Sequence, residues 1–171
     1  MVKLFDRMWR ASLLDVDLYE EVEADPTATK QAMAAVILSS VAAGIATLGS
    51  GGIVGLVAGA IGALIGWFIW AFLTYLIGTR LLPEETTEAD LGQLLRTIGF
   101  SSSPGVIRVV GIVPPLRGLA SFAAAVWMLV AMVLAVRQAL DYRSTARAVL
   151  VCLLGWFVQL VIGAILLRLL S

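Results

Sequence analysis

The chain has 171 residues, 60% of them hydrophobic and only 14% charged, and twelve Lys and Arg offset twelve Asp and Glu; mean hydropathy is +0.97. Soluble domains carry roughly 25% charged residues, so a water-soluble globular fold is excluded first, and the zero net charge excludes a basic surface for nucleic acid. Histidine is absent and Cys152 is the single cysteine, which removes the commonest general base, the commonest transition-metal ligand and any intramolecular disulfide.

Residues 1–30 are charged and amphipathic. Val2, Phe5, Trp9, Leu13 and Val16 recur at helical spacing, with Lys3, Arg7 and Arg10 beside them, which predicts a helix with one apolar stripe. It either lies in the headgroup layer, with Trp9 as an interfacial anchor, or packs on the protein's own spans. Acidic residues rather than an apolar run follow the basic ones, so this is not read as a signal peptide. The acidic patch Asp15 to Asp25 reads as a solvated face or a docking surface for a basic partner.

From Gln31 to Thr79 no side chain is charged, a run of 49 residues (31 to 79 inclusive). A helix rises about 1.5 Å per residue, so about 20 apolar residues cross a hydrocarbon core about 30 Å thick. The run predicts two spans, 32–48 and 53–78, joined at Gly49-Ser50-Gly51-Gly52. The loop Arg80–Arg96 is polar, and its Glu84, Glu85, Glu88 and Asp90 read as a solvated helix start capped by Thr86 or Thr87. The segment 97–116 contains Pro104, Arg108 and Pro114-Pro115. It is either a short, proline-kinked third span or a re-entrant element. Clean spans follow at 118–136 and 148–167. The expected fold is therefore all-α, a polytopic transmembrane bundle of five spans (domain 31–171) preceded by the interfacial segment 1–30. With five spans, nine Lys and Arg fall on the N-terminal side against Arg117 and Arg168 opposite; with four, the count is nine against three. Both place the N-terminus in the cytoplasm.

Gly51, Gly55, Gly59, Gly62 and Gly66 form a small-residue stripe for close helix packing. The partner is either the first span, through Ala35, Ser39, Ala43 and Gly44, or another membrane subunit or a second copy. Trp67, Trp70 and Tyr75 read as interfacial anchors. Arg108 is a charge inside an apolar segment, a functional hypothesis by default; with Arg117 it is a candidate lipid or anion contact, and its alternative is snorkelling to an interface. No nucleophile–base set, phosphate loop, dinucleotide fingerprint or metal motif is present, so neither catalytic nor metal residues nor a cofactor is expected.

The acidic stretch before Gln31-Ala32, the glycine-rich second span, the cluster Leu94-Leu95-Arg96-Thr97-Ile98-Gly99-Phe100-Ser101 followed by Pro104, then Ile112-Val113-Pro114, Ala125-Val126-Trp127 and Ser144-Thr145-Ala146-Arg147-Ala148 together resemble the Ypt/Rab-interacting-protein (Yip) family of multi-span membrane proteins. The resemblance implies five spans, a cytoplasmic N-terminus, a C-terminus on the far side, and oligomers. Eukaryotic members are linked to Rab GTPases and vesicle traffic. Their N-terminal signature runs Asp-Leu-Tyr-Gly-Pro, whereas Asp17-Leu18-Tyr19 is followed here by Glu20-Glu21, so the Rab-binding match is incomplete. The short form is similar to bacterial members, which implies a bacterial inner membrane. The expected role is non-enzymatic association with other membrane components, as an organising protein or accessory subunit. The alternative is a small transporter or lipid-handling protein that meets anionic groups with Arg108 and Arg117.

Overall fold

The structure, a computed structural model, describes residues 2–46 and 48–170, with the side-chain surroundings of 2, 48–51, 163, 166, 167, 169 and 170 left aside. Every regular element among the described residues is helical. In order they are α1 (Val2–Ser12), α2 (Val16–Ala24), α3 (Thr29–Ile45), α4 (Leu48–Leu76), α5 (Leu91–Ser101), a 3-10 segment (Ser103–Ile112), α6 (Arg117–Ala139) and α7 (Thr145–Leu170). Among the described residues, four helical stretches are long and apolar enough to cross a membrane: Pro26–Ile45, Gly52–Leu81, Pro114–Ala139 and Thr145–Ile162.

The expected third span is not a fifth helix of that kind. α5 has 11 residues, about 16 Å of helix. Beyond it Pro104 has no N–H to donate, and the chain tightens into ten residues of 3-10 helix that end before Pro114. This α5/3-10 strip lies between α3 and α6. At its far end Gly111 abuts Ala46 and Arg117, so it finishes level with the last turn of α3 and the first of α6. The start of α4 contains the expected break: Gly52 takes φ 54° and ψ −158°, a conformation open essentially to glycine alone. Thr47 lies outside the described residues.

Small residues fill the inside and large apolar ones the outside. The buried set is rich in alanine, including Ala32, Ala35, Ala124, Ala131, Ala135 and Ala148, while Ile61, Ile65, Phe68, Phe122, Phe157 and Leu160 are exposed. That arrangement would be unstable in water. It suits lipid, where close backbone approach rather than hydrophobic burial holds helices together.

The charged end of the bundle is tied by polar contacts. α1 turns Arg7 inward: the residue is 1% exposed and donates to Glu21 (2.8 and 2.9 Å), Asp25 (2.8 Å) and Gln31 (3.1 Å). Arg10 pairs with Asp15 at 2.7 Å and Glu21 at 2.6 Å. Hydrogen bonds from these arginines hold the Asp15 and Glu21 carboxyls below the usual carboxylate range; Asp25 is lowered first by Thr27 and then by Arg7. Most of the acidic patch expected to be solvated is thus engaged within the chain. The cap of α5 is Asp90 in a capping box with Gln93, not Thr86 or Thr87. Thr86 instead donates to the Asp141 carbonyl (2.8 Å), and Thr87 accepts from the Glu84 N–H (2.9 Å).

Candidate functional site

The glycines of α4 form a surface, not a seam inside the bundle. Gly55, Gly59, Gly62 and Gly66 follow one another at steps of four, three and four, which puts them on one helix face. A Cβ built on any of the four would meet nothing within 4 Å. α3 reaches α4 elsewhere, where Leu56 presses on Gly44. Gly55, Gly59 and Gly62 are exposed, with no neighbour from α3 over them, whereas Gly66 is half-buried and borders a cavity shared with α3 and α7. Gly51 lies among the residues whose surroundings are not described.

The aromatic residues of α4 sit at different depths of packing. Trp70 is 6% exposed and belongs to the core with Ile98, Val136, Val151 and Cys152; its ring lies against Gly155. Trp67 is half-buried and donates through Nε1 to the Leu95 carbonyl at 3.0 Å. Tyr75 packs beside the same core. Trp9, at 67% exposed, points outward with Phe5 and Leu13. α1 therefore presents Phe5, Trp9 and Leu13 to the surroundings and packs Met8, Ala11 and the buried Arg7 against the protein, with Lys3 and Asp6 exposed.

The two candidate anion-contacting arginines are not together. Arg117 is exposed at the far turn and donates through Nε to the Gly111 carbonyl at 3.4 Å. Arg108 is partly buried, and its Nη2 reaches Met128 Sδ at 3.1 Å. It borders a central cavity of about 310 Å3 to which α3, α4, α5, α6 and α7 all contribute.

Several structural residues escaped the reading of the sequence. Arg96 is buried and donates to the carbonyls of Val22 (2.9 Å) and Glu23, satisfying the orphan carbonyls at the end of α2. Leu18 and Tyr19 are fully buried, and burial raises the Tyr19 hydroxyl pKa. Glu23 is pushed up to about 7, first by burial and then by Asp141, against the opposing pull of Arg96. Tyr142 donates to the carbonyls of Gly78 (3.0 Å) and Leu82 (2.7 Å), closing the π-helical turn Ile77–Leu81 that ends α4. Ala120, Ala124, Ala131, Ala135 and Ala139 of α6 line the face toward the α5/3-10 strip. Their spacing was a readable signal.

Apolar helices of spanning length, an alanine interior and a large apolar exterior define a multi-pass integral membrane protein. The Yip1 domain family model matches residues 17–167, and the chain belongs to that family. No curated protein and no solved structure matches it.

Proposed function

We propose that the protein is a non-enzymatic membrane component that works by docking the glycine face of α4 against another transmembrane helix, from a partner subunit or a second copy. The observation that carries this reading is the row Gly55, Gly59 and Gly62, exposed and continuing to Gly66 at the edge of the cavity, while Gly78, Gly99, Gly105 and Gly111 are occupied from within the chain. Glycine costs a helix about 1 kcal/mol relative to alanine. In lipid, a row of them on one face is useful where two backbones come close.

In this reading the chain crosses the membrane five times. The α5/3-10 strip supplies the third crossing: a 3-10 helix rises about 2 Å per residue, and the strip begins beside the end of α4 and finishes beside the end of α3. The N-terminus lies in the cytoplasm of a bacterial cell, with nine basic residues on that side against two opposite. Residues 1–30 form an interfacial collar whose Phe5, Trp9 and Leu13 dip into the headgroup layer. Tyr75 lies nearest the same end of α4, while Trp67 and Trp70 are engaged inside the bundle, on the Leu95 carbonyl and in the core. A Rab-type GTPase is not proposed as partner, because Leu18 and Tyr19 of the partial signature are spent on the core.

Blue-native electrophoresis of a mild detergent extract tests the docking surface. The wild type should migrate as a complex larger than the monomer, and Gly59→Leu should return it to monomer size. A wild type that migrates as a lone monomer, with nothing co-purifying, would remove the reading.

A further inference from the structure

The cavity holds a cationic side chain with no carboxylate to match it among the described residues. Arg108 projects from the 3-10 segment three residues beyond Gly105. Gly105 itself packs on Ser39, near the middle of α3, and Met128, at the middle of α6. The guanidinium is thus held at mid-depth by short-range packing. Its one hydrogen-bond partner is a thioether sulfur, a weak acceptor, and no carboxylate lies within ion-pair distance among the described residues. Arginine does not lose its proton and carries five donors in a planar fork.

Trp70 lines the same space with its ring, but its indole Nε1 is shielded from it and has no partner among the described residues. Gln159 of α7 also lines it. The neighbouring hydroxyls are already occupied as donors, Ser101 to the Ile98 carbonyl at 2.7 Å and Ser102 to the Gly99 carbonyl at 2.6 Å. Water or the Gln159 amide oxygen could accept from the guanidinium but would leave its positive charge without a counter-charge. An oxyanion supplies both, through charge-assisted and bidentate contacts to the fork.

We propose that this cavity binds a phosphate-class anion, with Arg108 as its charge partner and Gln159 as an adjustable second donor. The volume, about 310 Å3, lies at the lower end of ligand-sized pockets. A lipid headgroup phosphate entering between the helices and a small free phosphate share this chemistry. Arg117 is not part of the site, because it is committed to the Gly111 carbonyl at the far turn.

The test is thermal unfolding of the purified full chain in a non-ionic detergent, with phosphatidylglycerol, phosphatidylcholine or inorganic phosphate added. Phosphatidylglycerol should raise the wild-type Tm in a saturable way, and phosphatidylcholine, whose quaternary ammonium offsets its phosphate, should do so less. Protection by phosphatidylglycerol alone assigns the site to a lipid headgroup; protection by inorganic phosphate as well assigns it to a free anion; both outcomes support the proposal. Arg108→Gln should weaken the effect at least about tenfold, the loss of a charged hydrogen bond. Arg117→Gln should match the wild type. Arg108→Met guards against a folding artefact: without added anion it should be at least as stable as the wild type, because it removes a desolvated charge. Protection by neither anion, equal protection of Arg108→Gln, or an Arg108→Met chain destabilised without anion would each overturn the proposal.

Discussion

The two halves of α4 use glycine and small residues differently along one face. In the sealed half, Gly78 packs on Leu140, and Trp70, one turn beyond Gly66, is buried in the core with Ala71. The glycines of the neighbouring elements are equally enclosed: Gly99 would put a Cβ 2.6 Å from that of Ala32, and Gly105 one 2.8 Å from Met128 Sδ. In the other half, Gly55, Gly59 and Gly62 are exposed, and Gly66 borders the cavity that Trp70 also lines. Inside the bundle glycine is required by a neighbour that is present. In the open half no neighbour among the described residues requires it, and the proposed docking surface rests on that difference.

Substitutions should separate the sealed half from the open one, with the largest effects in the sealed parts of the bundle. Gly105→Val would drive its branches into Ser39 and Met128 in the crowded middle of the bundle. A cost of about 3 kcal/mol or more is expected, read as lost expression or a Tm too low to measure in detergent. Next is Arg7→Met at the sealed charged end. It removes the hydrogen bonds of a buried guanidinium while Glu21 keeps Arg10 at 2.6 Å and Asp25 keeps Lys3 at 3.9 Å, with an expected loss of about 2–3 kcal/mol, measured by thermal unfolding.

Glu23→Gln sharpens the picture of that end through pH. The carboxyl sits at about 7 in the folded chain against an ordinary 4.5, so the fold favours its protonated form. The stability it contributes is complete below about pH 4.5 and is lost as the pH rises through about 7. Glu20, Asp90, Asp141 and Arg96 surround it. The glutamine variant should match the wild type at about pH 4.5 and be more stable by about 1–3 kcal/mol at about pH 8. Removal of two hydrogen bonds in Tyr142→Phe should cost about 1–2 kcal/mol at the end of α4. Smallest of all for the monomer, Gly59→Leu should change Tm by less than about 1 kcal/mol equivalent and yet dissociate the complex. A Gly59→Leu chain that fails to fold would erase the distinction between the halves.

Much of this was legible in the sequence because lipid solvation acts on long runs of residues. The uncharged stretch 31–79 announced two helices, and Gly49 to Gly52 announced their break. The glycine stripe was visible from spacing alone, but which way it faces was not, since both faces of α4 are apolar and period carries no address. Residues 97–116 resisted for a different reason. Ten residues too few for an α-helical crossing reach further as 3-10 helix, and periodicity tuned to 3.6 does not register a rise of about 2 Å. The acidic patch was misjudged because its cations, Arg7 and Arg10, come from a helix whose apolar face turns outward. In a membrane protein that inversion is favourable, and a reading that assigns charge to solvent misses it. Trp70 and Arg108 look alike in sequence to residues at an interface; only the helices around them place both on one cavity.

The docking surface is tested most directly by photo-cross-linking in intact membranes. A single-cysteine chain (Cys152→Ser) would carry a benzophenone on Ala58→Cys, which borders the glycine stripe, or on Leu160→Cys, on the lipid-facing side of α7. Protein adducts from the first position, lost when Gly59→Leu is added, and only monomer from the second are the expected result. Monomer from both positions, or adducts that survive Gly59→Leu, would contradict the account.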